Sequence, residues 1–107
     1  MLIYNKLVRD RIPEIIERAG KKYSTRVLDQ TEFIKELKKK SFEEMEEYIN
    51  AESDEEALEE LADLLEIIHA LAETHGASID RVEKLRRQKA KEHGVFKEKI
   101  LLIEVED

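Results

Sequence analysis

Cysteine is absent from the sequence, which excludes disulfide bonds, thiolate metal ligands and thiol nucleophiles. Proline occurs once and glycine three times, so few places exist for irregular loops. Aromatic residues make up 6% of the chain against 42% for charged residues, a balance typical of solvated helices that pack through narrow apolar stripes. No apolar run approaches the roughly 18 residues of a membrane span. Because residues 1–8 also differ from a signal peptide, we expect a cytoplasmic protein without a membrane partner.

The length and net charge limit the architecture and the partners. A chain of 107 residues predicts one domain, residues 1–107. A domain of this size buries only about 65% of the surface that its unfolded chain exposes, so self-association would help its stability. The formal charge of −7 argues against binding to a nucleic-acid polymer or an anionic membrane.

Hydrophobic periodicity predicts an all-α fold built on an antiparallel helical hairpin. Two long helices are expected at residues 31 to about 51 and 54–75, because the break between them is too short for any other connection. A short helix at residues 11–19 and a third long helix, from Ser78 or Asp80 to about residue 92, should flank the hairpin. The broad apolar sides of the hairpin exceed what these flanking helices can cover, which predicts a dimer or a higher homo-oligomer.

Two other segments show a β-type pattern. Residues 22–28 alternate between apolar or β-branched side chains and polar ones, and residues 100–105 are a short run of leucine and β-branched residues. The two segments could pair as a small two-stranded ribbon beside the helices.

Two pairs of acidic residues, Glu44 with Glu47 and Glu60 with Asp63, break the apolar pattern of the hairpin. At about 100° per residue, Glu44 falls between Phe33 and Leu37 on the apolar arc of its helix. Glu60 falls between Ile67 and Leu71 on the facing arc, and Asp63 lies at that arc's edge. Burial of a carboxylate without a partner costs several kcal/mol, so carboxylates retained at core-facing positions predict a bound cation. Alternatively, Glu44 and Glu60 lie at the edge of the stripe and pair with Lys40 or another basic residue.

Four carboxylates without cysteine form a ligand set that suits hard cations such as Mg²⁺ or Mn²⁺. Mg²⁺ commonly completes its coordination with substrate phosphates, which favours phosphoryl or pyrophosphoryl chemistry. Basic residues that could contact a phosphate lie near the first helix and on the third long helix; they are Lys6, Arg9, Arg11, Lys89 and Lys91. For the first three, a structural role in tying the N-terminus to the hairpin is equally open. For the last two, the alternative is a solvated helix face.

Residues 43–47 carry the pattern E-E-x-x-E, and residues 60–63 carry E-x-x-D after twelve intervening residues. This spacing resembles the hallmark of the all-α nucleoside triphosphate pyrophosphohydrolases, the MazG-like superfamily that also holds phosphoribosyl-ATP pyrophosphohydrolase. Residues 4–13 look like the start of the phosphoribosyl-ATP pyrophosphohydrolase-like subgroup. Residues 89–96 are similar to that subgroup's Lys-rich segment followed by Arg-Gly-Gly-Phe, but His93 and Val95 depart from it.

The resemblance implies a MazG-like helical bundle that hydrolyses the bond between the α and β phosphates of a nucleoside triphosphate. Glu44, Glu47, Glu60 and Asp63 would hold Mg²⁺, and Glu44 or Glu47 would activate the attacking water. Glu43 would be peripheral, and Glu46 and Glu59 would be solvated. Two other functions stay open: phosphoribosyl-ATP pyrophosphohydrolase of histidine biosynthesis, and a non-catalytic helical module whose acidic face binds a basic partner.

Overall fold

A computed structural model describes residues 2–107 of the chain. These residues form four helices and contain no strand. The helices are α1 (Ile12–Arg18), α2 (Gln30–Ile49), α3 (Asp54–Thr74) and α4 (Ile79–His93). The prediction of an all-helical fold is therefore confirmed. Within this part of the chain, no helix combines the length and the apolar character that a membrane span requires.

The start of each hairpin helix is determined by a capping side chain. The Asp29 carboxylate accepts a hydrogen bond from the amide of Glu32 at 2.8 Å, and the Ser53 hydroxyl accepts one from the amide of Glu56 at 3.1 Å. These amides belong to the first turns of α2 and α3, where no carbonyl of the helix itself is available. Since residues 50–53 alone connect the two helices, α3 folds back antiparallel to α2, as the sequence predicts.

The core lies between α2 and α3 and contains few residues. Leu37 of α2 is 4% exposed, and Ile67 and Ala72 of α3 are each 6% exposed. Gly76, with a φ of 70° that disfavours any side chain, makes the turn after α3, and α4 then packs lightly along α3. The short α1 does not come close to another helix in residues 2–107. The hairpin is therefore the folded centre, and the remaining elements add little burial to it.

The predicted two-stranded ribbon is wrong for the single chain. Residues 22–28 and 100–105 have no regular secondary structure and form no ladder to any residue in the described range. Val27 is 98% exposed and Ile103 is 85% exposed. A two-stranded ribbon is marginal in water unless its apolar face packs on another layer, and no helix of the same chain covers either segment. Their β-type sequences therefore find no partner within one copy.

The isolated chain has far more surface than a closed domain of its mass. Its accessible surface is 10293 Å², whereas folded monomers of this mass expose about 6,200 Å². Its radius of gyration is 18.3 Å, against about 13 Å for a domain of this length. The excess surface includes many large apolar side chains.

Candidate metal centre

Three carboxylates meet where the C-terminal part of α2 faces the first half of α3. Glu44 and Glu47 lie one helical turn apart on α2, and Glu60 faces them from α3. One carboxylate oxygen from each of these residues lies within 4.8 Å of the other two. We call this group the carboxylate cluster. Like charges at this separation repel each other strongly, so the arrangement requires protons or a cation for compensation.

Glu44 is the most deeply buried charged residue in the described part of the chain, with 8% exposure. Its Oε1 lies 3.9 Å from Nζ of Lys40, at the outer limit of an ion pair. Its Oε2 is buried and has no hydrogen-bond partner among residues 2–107, and the same is true of Oε2 of Glu60. Pairing with Lys40 therefore satisfies only part of one carboxylate. The two remaining oxygens are acceptors without donors, which is the environment that a cation would complete.

The ionisation of Glu44 and Glu60 reflects their proximity. The neighbouring Glu44 carboxyl group raises the pKa of Glu60 to about 7, and burial of Glu60 and the charge of Glu47 act in the same direction. Burial is the main cause that raises the pKa of Glu44, while Glu47 and Asp63 add repulsion. Protons are therefore retained at a pH where ordinary carboxyl groups have lost them, and a bound cation would displace those protons.

The fourth predicted ligand, Asp63, lies outside the carboxylate cluster as defined by these distances. Its Oδ1 accepts a hydrogen bond of 2.8 Å from the guanidinium group of Arg9. Nζ of Lys6 lies 3.8 Å from Glu43 of α2. These two contacts attach the N-terminal segment across both helices of the hairpin. Lys6 and Arg9 therefore do have the tying role that the sequence left open, and they lie close to the carboxylate cluster while doing so.

The other predicted phosphate-binding residues lie elsewhere. Arg11 pairs with Glu14 of α1 at 3.3 Å. Lys89 and Lys91 are exposed on α4 and line neither cavity found in the described chain. On the same helix, hydrogen bonds from Arg86 lower the pKa of Glu83 to about 2. Arg86 and Arg87 are both paired with Glu83 of the same helix.

An open cavity of about 640 Å³ extends from the carboxylate cluster towards the hairpin turn. Its lining is mostly acidic and comprises Lys6, Glu43, Glu46, Glu47, Asn50, Ala51, Glu52, Glu56 and Glu60. The sequence pattern had assigned Glu46 to the solvated side, and it did not single out Asn50, Glu52 or Glu56. The signal that could have identified the last three was the short hairpin connection, which brings the ends of α2 and α3 next to each other.

The carboxylate cluster offers ligands that a hard cation prefers. Its donors are all carboxylate oxygens, which suit Mg²⁺ or Mn²⁺ better than zinc or copper. Glu47, the exposed member, also lines the cavity, whereas Glu44 is buried behind it. The site can thus hold a cation on one side and meet a molecule from solvent on the other.

Comparison with known proteins identifies no relative of this chain. No protein-family model matches the sequence, and no curated protein or solved structure matches it either.

Proposed function

We propose that the chain is a Mg²⁺-dependent nucleotide pyrophosphohydrolase of the MazG-like superfamily, with Mn²⁺ as a substitute metal. It would hydrolyse a nucleoside triphosphate to the monophosphate and pyrophosphate, a reaction that removes unwanted nucleotides. One observation carries the proposal: Glu44 is buried at 8% exposure, and its free oxygen has no partner in the described residues although it lies beside two more carboxylates. The resemblance of residues 43–47 and 60–63 to the superfamily's hallmark then supplies the reaction.

The side chains fit a cation in number, chemistry and placement. Glu44 and Glu60 each offer a buried oxygen without a hydrogen-bond donor within residues 2–107. Glu47 adds an exposed oxygen within 4.8 Å of both. Asp63, one turn after Glu60, becomes available when Arg9 releases it. When bound, Mg²⁺ would neutralise charge that develops on the phosphate oxygens during hydrolysis.

Glu47 is better suited than Glu44 to activate the attacking water. It is exposed and lines the cavity, so water and substrate can reach its carboxylate. Glu44 lies behind it in the core, where access is poor and where holding a cation is the more suitable role. In this assignment Glu47 orients the water and takes its proton while the phosphoanhydride bond breaks. The sequence left open which of the two glutamates activates the water, and this proposal assigns that role to Glu47.

The cavity indicates how a nucleotide would be recognised. Its volume of about 640 Å³ lies within the range of small-molecule sites, about 300 to 1,000 Å³. Lys6 is its one basic lining residue, and six of the nine lining residues are glutamates. A free polyphosphate would be repelled by so acidic a surface, whereas a polyphosphate bound through Mg²⁺ would be accepted. Lys6 and Arg9 are therefore the proposed phosphate contacts.

We also propose that the hairpin self-associates, with a dimer as the minimum assembly. Four large apolar side chains of α2 and α3 remain between 52% and 75% exposed, namely Phe42, Ile49, Leu58 and Leu65. Their burial against a second copy would remove surface that a single chain leaves in water. Light scattering should give a dimer or larger species, and Phe42→Glu should reduce it to a smaller one. Lys35→Glu, on the polar side of α2, should not.

The activity is tested with the purified protein, Mg²⁺ and a broad panel of nucleoside triphosphates. Each product is identified by chromatography, together with an assay for pyrophosphate. We expect a monophosphate and pyrophosphate from at least one nucleotide, and loss of both products when EDTA is added. Absence of pyrophosphate with every nucleotide would contradict the proposal. Growth of a histidine auxotroph carrying this chain would instead identify phosphoribosyl-ATP as the substrate.

A further inference from the structure

Two segments of the chain outside the helices have unpaired backbone groups. They are the linker segment, residues 21–28 between α1 and α2, and the C-terminal segment, residues 100–107 after α4. From residue 22 to 28 and from 100 to 107, no backbone hydrogen bond forms to another residue of the described chain. Backbone amides and carbonyls in such a row can template the addition of a strand.

The C-terminal segment is apolar on both of its sides. Its five aliphatic side chains are 71% to 85% exposed, and they are Ile100, Leu101, Leu102, Ile103 and Val105. Successive side chains of a strand point to opposite faces, so this segment presents apolar surface in both directions. Strands of this composition occur where both faces are covered. The segment therefore has a sequence suited to burial and no cover within its own chain.

The two segments complement each other in charge when they are aligned antiparallel. Lys21 and Lys22 open the linker segment, while Glu106 and Asp107 close the C-terminal segment. An alignment that places Lys21 opposite Asp107 also places Lys22 opposite Glu106. Opposite charges that face each other directly stabilise a strand pair, and like charges there destabilise it.

The same register matches the apolar side chains. It sets Tyr23 opposite Val105, Thr25 opposite Ile103, and Val27 opposite Leu101, all on one face. A shift by one residue would set Tyr23 opposite Glu104 or Glu106 and would leave only one of the two lysines opposite an acidic residue. A shift by two residues in either direction leaves Lys21 without a directly opposite acidic residue. The charges therefore select this register, because it alone sets both Lys21 and Lys22 opposite acidic residues.

We propose that the C-terminal segment of one copy pairs with the linker segment of a second copy, reciprocally, in a two-fold symmetric dimer. Within one chain this pairing does not form in the described residues, although both segments are open. The chain exposes 10293 Å², roughly 4,000 Å² more than a folded monomer of its mass. A standard interface needs only about 800 Å² from each partner, so the second copy can be accommodated. Reciprocal exchange closes the assembly under two-fold symmetry.

The apolar face of each ribbon must also be covered, because a two-stranded ribbon alone is marginal in water. The exposed side chains of the hairpin, including Phe42 and Leu58, offer an apolar surface for this purpose. The ribbon therefore extends the assembly proposed for the hairpin. It does not depend on the metal or on nucleotide hydrolysis, so it can fail while the proposed activity stands, and the reverse also holds.

Disulfide trapping tests the pairing, since the natural chain contains no cysteine to interfere. Thr25→Cys and Ile103→Cys are made in separate full-length chains, which are mixed under mild oxidation. Residues directly opposite in an antiparallel pair lie close enough for a disulfide. We expect a covalent dimer that contains one chain of each variant. The matched control mixes Thr25→Cys with Leu102→Cys, whose side chain lies on the other face, and should cross-link much less.

A chain that carries both cysteines distinguishes pairing between two copies from pairing within one chain. A covalent dimer that reducing agent dissolves supports exchange between copies. A monomer with an internal disulfide, seen by its faster migration, would overturn the proposal, as would equal cross-linking in the control mixture. A ladder of larger covalent species would contradict reciprocal closure.

Charge reversal tests the register without cysteine. Lys22→Glu or Glu106→Lys alone should weaken dimerisation about tenfold, because each change places like charges opposite each other twice in the dimer. The chain with both substitutions should recover the original dimerisation constant, measured by sedimentation equilibrium. If the single variants dimerise as well as the natural chain, or if the double variant does not recover, this register is wrong.

Discussion

The α2–α3 hairpin and the two extended segments use apolar residues in opposite ways. In the hairpin, apolar side chains share one face of each helix, and Leu37 and Ile67 are buried between the helices. In the C-terminal segment they occupy successive positions outside any helix, and Ile103 is 85% exposed. A helix pairs all of its internal backbone groups by itself, so a single neighbour is enough to bury its stripe. A strand needs a neighbour at its edge as well as cover on its faces.

This difference distinguishes the hairpin, whose apolar side chains pack against each other, from the two segments whose apolar side chains have no partner in the described chain. The hairpin holds the carboxylate cluster in place because α2 and α3 contact each other along their length. The extended segments are free to meet another molecule. The carboxylate cluster thus lies on the part of the chain that is packed by its own residues.

Truncation of a core residue should give the largest difference in stability loss between the two regions. Leu37→Ala removes a side chain that is 4% exposed, and we expect a loss of about 2 to 5 kcal/mol in the free energy of unfolding. Ile103→Ala removes an exposed side chain and should change stability little at protein concentrations where the chain is monomeric. Urea unfolding measures both. Equal losses would mean that the C-terminal segment packs on its own chain after all.

Removal of one carboxylate should affect activity more than stability. Glu60→Gln keeps the shape of the side chain but removes its charge, and turnover should fall about 100-fold or more because charge stabilisation is lost. Metal affinity, measured by calorimetry, should fall with it. Glu59→Gln is the matched control, since Glu59 is exposed and takes no part in the carboxylate cluster. Unchanged function in the Glu60 variant would favour the non-catalytic interaction module.

Metal binding should stabilise the hairpin. A ligand present at about 100 times its dissociation constant adds about 2.7 kcal/mol to stability if it binds only the folded chain. We therefore expect Mg²⁺ to raise Tm by several degrees and Mn²⁺ to do the same, with Na⁺ at equal ionic strength as the control. In Glu60→Gln the increase should shrink. A rise of equal size in the natural chain and the variant would indicate general screening of negative charge.

The pH dependence of stability should reflect the raised pKa of Glu60 in the carboxylate cluster. The pKa of Glu60 is raised from 4.5 to about 7 in the folded chain. A folded state that binds protons more tightly than the unfolded state is stabilised at low pH. The stability of the metal-free protein should therefore fall as pH rises from about 4.5 to about 7. Glu60→Gln should flatten this profile in urea unfolding measured across the range.

Glu83 is a control whose pKa is shifted in the opposite direction. Its pKa is lowered from 4.5 to about 2 by Arg86, so its contribution is present above 4.5 and is lost as pH falls towards 2. Glu83→Gln should alter the stability profile only in that acidic range. If this variant changed the profile between 4.5 and 7 as much as Glu60→Gln does, the assignment to the carboxylate cluster would be wrong.

The smallest effect should come from the contact that ties the N-terminal segment to α3. Arg9 and Asp63 are bonded at 2.8 Å, but their side chains are 55% and 43% exposed. Ion pairs of this kind contribute about 0 to 1 kcal/mol. Arg9→Gln should therefore change Tm by no more than a few degrees, comparable to Arg18→Gln in α1. A much larger loss would show that the N-terminal segment is a necessary part of the hairpin fold.

Much of the hairpin could be predicted because its signals are local. The apolar periodicity, the capping residues Asp29 and Ser53 and the short connection each act within a few residues. The observed helices begin and end within about two residues of their predicted bounds. The position of Glu44 on the apolar arc likewise follows from helical geometry, and Glu44 is buried as that position implies.

The sequence by itself determined the helical hairpin and the inward position of Glu44 and Glu60, because helix geometry converts spacing along the chain directly into direction in space. The tertiary structure decided that Glu44, Glu47 and Glu60 meet while Asp63 pairs with Arg9, a contact between residues 54 positions apart. It also decided that residues 22–28 and 100–105 stay apart within one chain. Strand pairing depends on which edges meet in space, and no local pattern specifies that.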